Sequence, residues 1–263
     1  MKFLERFQTL TAKPHQIGYD EYEPHPILKT YVHCFWFDHL LQSRSRVIPD
    51  LCMDVLIYID EESNKVRSIF SGMNDTYFDT TTELASAVLG IRFFGWSGWL
   101  FSAEDLTSTK NIIGDSKDYF PMLTSLFQSE HFISVNPAQK IKLIENVLLN
   151  RIVEERKQLH PDFLNSMDLI LQANDPITQK DLKRHCVIGA RQLERLFRTY
   201  TGLSPKKMIN LVRFQKIWRR MYATRTCDAA DLVYQYGYVD QSHFIRDFKT
   251  FSGRTPKRMI QEI

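Results

Sequence analysis

The stretch FKTFSGRTPKRMI (Phe248–Ile260) repeats, fifty-one residues on, a phrase already written as FRTYTGLSPKKMI (Phe197–Ile209). Seven of the thirteen pairs are identical and five more are conservative. In the first copy, Leu193, Leu196, Phe197 and Tyr200 fall at i, i+3, i+4 and i+7, the spacing of one buried helix face. Gly202 follows, where a helix terminator favours a residue without Cβ. Ser204-Pro205 then offers an N-cap oxygen and a first-turn proline for the next helix. The second copy repeats this grammar with Phe244, Phe248 and Phe251 inside, then Gly253, then Thr255-Pro256.

A shorter helix is predicted upstream of each phrase, over Gln179–Cys186 and Asp228–Tyr236. The turns are Val187–Gly189 and Gly237–Asp240, with Asp240 placed to cap the helix that follows. Helix, tight turn and second helix make a helix-turn-helix, whose second helix ordinarily enters the DNA major groove. Opposite the buried stripe, the first unit carries Arg191, Arg195 and Arg198, flanked by Gln192. The second carries Ser242, Arg246 and Lys249, flanked by Gln241 and His243. Arginine can donate twice to guanine O6 and N7, and Gln, Ser or His can reach other base edges. Arg195 and Arg246, at the centres of the two faces, are the principal base-reading candidates. Glu194 stands four residues before Arg198, the spacing of a helix-surface ion pair.

Between the units runs Ser204 to about Ala223, with a stripe of Met208, Leu211, Val212, Gln215 and Trp218. A helix of about 20 residues spans about 30 Å, close to the roughly 34 Å between successive turns of one major groove. The duplication therefore reads as a ruler.

Charge agrees with that reading. Residues 178–263 hold 18 Lys+Arg against 7 Asp+Glu, while residues 1–177 hold 16 against 24. A basic segment of this length, with its charge spread along helices, creates a field that attracts polyanions.

At these residues the sequence resembles the AraC/XylS family of bacterial transcription regulators. Tyr236–Met259 is similar to that family's C-terminal signature almost position for position, and Ala190–Lys207 matches the first half. The resemblance covers about Asp162 to Ile263 and implies a seven-helix DNA-binding domain with two helix-turn-helix units on one long helix. It implies promoter DNA and RNA polymerase as partners, with activation as the usual direction. One departure stands out: Gly189 occupies a place where the family often has serine, so a phosphate contact there would rest on backbone N–H groups.

The first half has a different texture. Over residues 27–100, short runs dense in Val, Ile, Phe, Trp and Tyr alternate with turn-prone intervals, and from about Asp115 the pattern turns helical. Ile141, Ile144, Val147, Leu148 and Ile152 form a stripe that suits packing on its own domain or on a second copy. The pattern suggests an α+β fold, a small β-barrel with helices (1–133), a further helix (134–160) and an all-α domain (161–263); the resemblance implies that the barrel is cupin-like and that 134–160 is a linker or dimerisation helix. Within the all-α domain, the first helix-turn-helix covers about 178–201, the linker helix 204–223 and the second unit 227–252. In the family the first domain is a sensor, so a small-molecule effector and a homodimer are expected with it. Arg92, Trp36, Trp96 and Trp99 are the candidates to line a pocket. Arg92 within VLGIRFFGW needs a counter-charge if buried, and Asp54 is the obvious one.

Several classes find no support. P-loop, dinucleotide-binding, zinc-protease and nucleophile-elbow motifs are absent, so no enzyme and no cofactor is expected. His33 and His39 lack a matching acid, and the four cysteines stand apart, so no metal is expected either. That spacing also disfavours a DNA-repair alkyl-transfer enzyme, which would need a reactive cysteine among zinc-binding ones. A regulator whose first domain only dimerises or binds a protein remains the main alternative. No apolar run nears the roughly 20 residues of a bilayer span. The charges at Lys2, Glu5 and Arg6 interrupt any leader-like core, so the expected location is the cytoplasm, away from membranes.

Overall fold

The computed structural model describes residues 9–11, 18–39, 45–60, 62–63, 65–80, 87–154 and 157–262. The charged start at Lys2, Glu5 and Arg6 lies outside them.

Among the described residues, eight strands precede the α-helices: β1 (Tyr19–Tyr22), β2 (Val32–Asp38), β3 (Ser45–Val47), β4 (Cys52–Asp60), β5 (Lys65–Ser71), β6 (Phe78–Thr80), β7 (Ala87–Phe94) and β8 (Ile113–Asp115). Six form an antiparallel sheet in the order β1-β2-β7-β4-β5-β8, and β3 pairs with β6. On β4, buried Val55 and Ile57 alternate with half-buried Leu56 and Tyr58, as a period of two dictates, whereas β7 buries every residue except Arg92. Helices α1 (Ser116–Tyr119), α2 (Pro121–Phe127), α3 (Glu130–Ser134) and α4 (Pro137–Glu154) follow. Phe120, between α1 and α2, meets both Phe93 and Phe70 of the sheet, with ring centroids 5.7 and 5.2 Å apart. The α4 stripe buries Ile141, Ile144 and Leu148, with Val147 and Ile152 at its margin, and the helix packs on α2 and the 3-10 turn Leu28–Thr30.

Register explains the other sheet face. Arg92 stands across from Cys34 on β2 and Asp54 on β4. Trp36 stands across from Gly90, where a Cβ would lie 2.0 Å from the indole, so the ring needs glycine there.

Among the described residues, seven further helices follow: α5 (Pro161–Gln172), α6 (Gln179–Arg184), α7 (Ala190–Thr201), α8 (Pro205–Thr224), α9 (Ala229–Gln235), α10 (Gln241–Ser252) and α11 (Pro256–Gln261). A β-rich half followed by an all-α half is the order expected. The expected helix signals take their places. Ser204, Thr255 and Asp240 each accept a backbone N–H at a helix start, and Gly202 and Gly253 end α7 and α10 with φ of 73° and 69°. The first helix of each unit is up to two residues shorter than the periodicity suggests. In the second unit the end residues have separate jobs: Asp228 caps α9 from outside by accepting from Ala230 and Asp231. Among the described residues, no helix is long and apolar enough to cross a membrane.

Candidate nucleic-acid interface

Each helix-turn-helix is built on a buried face. In the first, Leu182 of α6 and Leu193, Phe197 and Tyr200 of α7 are buried, with Phe163 of α5 edge-on to both rings. In the second, Leu232 of α9 and Phe244, Phe248 and Phe251 of α10 are buried, and Phe214 of α8 meets the last two. Burying a side chain of this size contributes roughly 1.5–3 kcal/mol. These faces therefore decide which side of α7 and α10 looks outward.

That outward side carries the predicted residues. Arg191, Gln192, Arg195 and Arg198 on α7 are all exposed, as are Gln241, Ser242, His243, Arg246 and Lys249 on α10. Among the described residues, neither Arg195 nor Arg246 takes part in an ion pair. Arg198 does: its Nε and Nη2 donate to Glu194 Oε1 at 3.2 and 2.9 Å, the pairing that the i, i+4 spacing predicts. The α7 start at Gly189 has no side-chain cap, and a Cβ there would meet nothing within 4 Å.

Several contacts that hold this surface gave no sequence signal. Asp162, buried at the start of α5, accepts from the backbone N–H of Val187 and Ile188 at 3.1 and 2.9 Å, fixing the first turn. Lys216 of α8 donates to the Ile170 and Ala173 carbonyls at the end of α5, and burial pulls its ammonium down to about 8. Gln215, the polar member of the rod's stripe, is fully buried. Its amide nitrogen donates to the Pro49 and Leu10 carbonyls, and its oxygen accepts from the Leu10 N–H. Trp218 Nε1 donates to the Thr11 carbonyl at 3.1 Å. The long helix is thus packed by the N-terminal half as well as by the units it joins.

The N-terminal half also reaches both units directly. The Leu106 N–H donates to the Thr199 carbonyl of α7 at 2.9 Å, and the Trp99 ring lies 4.5 Å from that of Tyr200. Thr76 donates to the Thr250 carbonyl of α10 at 2.9 Å. Between these points Asp75, 8% exposed, binds Lys207 of α8 at 3.1 Å, Lys110 at 3.4 Å and the Asn111 amide at 2.7 Å. Burial raises its proton affinity, but the Asn111 amide and the Lys207 and Lys110 ammonium groups outweigh that and hold the carboxyl below its usual range.

Of the four candidate pocket residues, Arg92 and Trp36 meet at Asp54, while Trp96 and Trp99 make their contacts elsewhere. Arg92 Nε donates to Asp54 Oδ1 at 3.1 Å, the expected partner, and its Nη2 lies 3.8 Å from Asp50. Trp36 Nε1 donates to the same Asp54 oxygen at 3.0 Å, and the Arg92 guanidinium lies 6.0 Å from the Trp36 ring. Trp96 is fully buried, stacked on Phe94 at 5.0 Å. Trp99 belongs to the contact with α7 and donates to Asp105.

Residues 184–262 match a family model described as a helix-turn-helix domain, and residues 20–111 match a domain of unknown function, DUF6597. The HTH-type transcriptional regulator ArgR of Pseudomonas aeruginosa is 26% identical over 100 residues, covering 37% of this chain and 30% of the relative. The match thus spans under a third of that relative's length. A solved structure of ToxT from Vibrio cholerae aligns over 98% of this chain and 99% of its own, with 10% identity and a TM-score of 0.42. Wild-type ToxT from the same organism, bound to an unsaturated fatty acid, aligns over 96% and 95% with 9% identity and a TM-score of 0.40.

Proposed function

We propose that this chain, with its helix-turn-helix domain over residues 184–262 and its resemblance to the AraC/XylS family, is a DNA-binding transcription regulator that reads two successive major-groove segments with α7 and α10. The observation that carries this is the pair of equivalent helices, each exposing a basic, arginine-centred face. In this reading Arg195 and Arg246 donate to guanine edges. Arg191, Gln192, Arg198, Gln241, Ser242, His243 and Lys249 contact flanking bases and phosphates. The rod α8, 20 residues long, spaces the two readers by about 30 Å, near the roughly 34 Å of a helical turn.

The first 133 residues act in this proposal as a sensor domain, and residues 134–160 as its link to residues 161–263. Support for modulation comes from the contacts of Leu106, Thr76 and Asp75 with α7, α10 and α8. A ligand that changed those contacts would bias both readers, which is the differential affinity that modulation requires. Activation, contact with RNA polymerase, a homodimer and a small-molecule effector rest on the family resemblance. The Trp36–Arg92 face of the sheet is the place proposed for that effector; Trp96, stacked on Phe94 in the core, lies apart from it.

Selection of binding sites from randomised DNA, followed by footprinting, tests the proposal. Two preferred segments about one helical turn apart are expected. A footprint confined to one short segment would refute it.

A further inference from the structure

The two units carry the same buried stripe, yet they are held to the rod by different means. On α10, Asp247 turns inward beside the proposed base reader Arg246 and meets two partners. Arg213, near the middle of α8, donates from Nη2 to Asp247 Oδ2 at 3.1 Å. The Tyr238 hydroxyl, from the turn before α10, donates to the same oxygen at 2.8 Å. The Arg213 guanidinium also lies 4.1 Å from the Tyr238 ring centroid, a cation–π contact. Arg213 and Asp247 are 19% and 18% exposed and Tyr238 is 7% exposed, so the cluster is shielded from most solvent. The Tyr238 ring also meets His243 edge-on at 5.2 Å and Phe244 at 5.4 Å.

Fifty-one residues earlier the same places hold Leu196 and Val187. Val187 is 96% exposed, and the first turn is held instead by Asp162 through backbone N–H groups. The sister unit therefore folds onto its stripe without a carboxylate or a phenol at these places, so the helix-turn-helix as such does not need them.

We propose that Arg213, Tyr238 and Asp247 are positioning residues that set the rotation of α10 on the rod and so determine specificity in the second groove segment alone. The geometry supplies the reason. Neighbouring residues on a helix point about 100° apart, so anchoring Asp247 fixes where Arg246 is aimed. Tyr238 likewise fixes the ring of His243. An apolar face tolerates rolling, because its contacts are non-directional. Two hydrogen bonds to one carboxylate oxygen do not, because their strength falls steeply with angle. Hydrophobic packing would then hold α7 and α10 in place, while the polar lock adds orientation to α10.

This inference rests on the DNA-reading proposal above, and the test separates the two. Full-length wild type, Tyr238→Phe and Asp247→Asn are compared by selection on a library randomised in both segments, with thermal unfolding measured in parallel. The variants are expected to lose about tenfold of their discrimination in the α10 segment. Discrimination in the α7 segment and affinity for nonspecific DNA should stay within about twofold of wild type. Tyr238→Phe removes only a hydroxyl and keeps the ring contacts, so it remains informative where Asp247→Asn fails to fold. Unchanged discrimination in the α10 segment, with or without a lower melting temperature, overturns the inference, as does an equal loss in both segments. A wild-type chain with no preference in either segment refutes the DNA-reading proposal itself and this inference with it.

Discussion

Gly202 and Gly253, fifty-one residues apart, end α7 and α10 in the same left-handed conformation, and each is covered by a loop of the N-terminal half. A Cβ on Gly202 would lie 3.0 Å from the Leu106 carbonyl oxygen, and one on Gly253 would lie 2.7 Å from the Tyr77 ring. The repeat therefore gives the N-terminal half two matched points of attachment, one at the end of each of these helices. Glycine is needed there twice over, for its φ and for the close approach.

Gly253→Ala should therefore destabilise the protein by more than the roughly 1–2 kcal/mol of a left-handed alanine. Adding Tyr77→Ala should recover the part due to the clash and leave the conformational part. Denaturant unfolding of the two variants checks this. A double variant no more stable than the single one would show that the ring contact carries none of the cost.

Arg195→Ala and Arg246→Ala should each weaken specific binding by roughly 1–3 kcal/mol and relax preference in one segment only. Arg198→Ala should cost less, since that side chain is shared with Glu194. Competition binding at two salt concentrations distinguishes base reading from phosphate contact, because only the latter changes the salt slope strongly.

Asp75 makes the closed arrangement sensitive to acid. Its carboxyl is held below the usual range in the folded chain, so the stability it contributes is present above about pH 4, the unfolded value. That contribution is lost as pH falls through the folded value. The stability advantage of wild type over Asp75→Asn should accordingly shrink as pH falls from about 5 to about 3. An advantage that stays constant over that interval would count against the Asp75–Lys207 contact in solution.

Arg92 is the counter-charge of two carboxylates, and burial pushes Asp50 up toward its neutral form. Removing the guanidinium in Arg92→Ala should cost about 3–5 kcal/mol, the usual price of breaking a buried pair from one side. Calorimetry of the full chain measures it. Unchanged melting with an altered response to added metabolites would move Arg92 from structure to ligand binding.

Gly189→Ser fills open space at the start of α7 without a change of backbone, since φ there is −68°. The added hydroxyl should cap the helix, stabilising the protein by a few tenths of a kcal/mol. It should also raise affinity for DNA without changing preference, read as a lower Kd on both specific and random duplexes.

Local chemistry made much of this molecule legible in the chain itself. Gly202 and Gly253, with Ser204, Thr255 and Asp240, act within a few residues of themselves, so their caps and terminators are written where they work. The stripes of α7 and α10 also identify their outward faces, because a helix that buries Leu193 and Phe197 must expose Arg195. The pairing of Arg92 with Asp54 was readable from composition, since a charge among apolar strand residues needs an opposite one.

Contacts between distant segments were decided only by the tertiary structure. Gln215 sits on an apolar stripe and looks like an exception until Leu10 and Pro49 are seen around its amide. Asp75 and Lys207 lie far apart in the chain, as do Arg213 and Asp247, and nothing in either neighbourhood announces the other. Periodicity records which face of an element avoids water, because that follows from each side chain alone. It does not record which surface covers that face, because directional polar contacts depend on where the rest of the chain is placed.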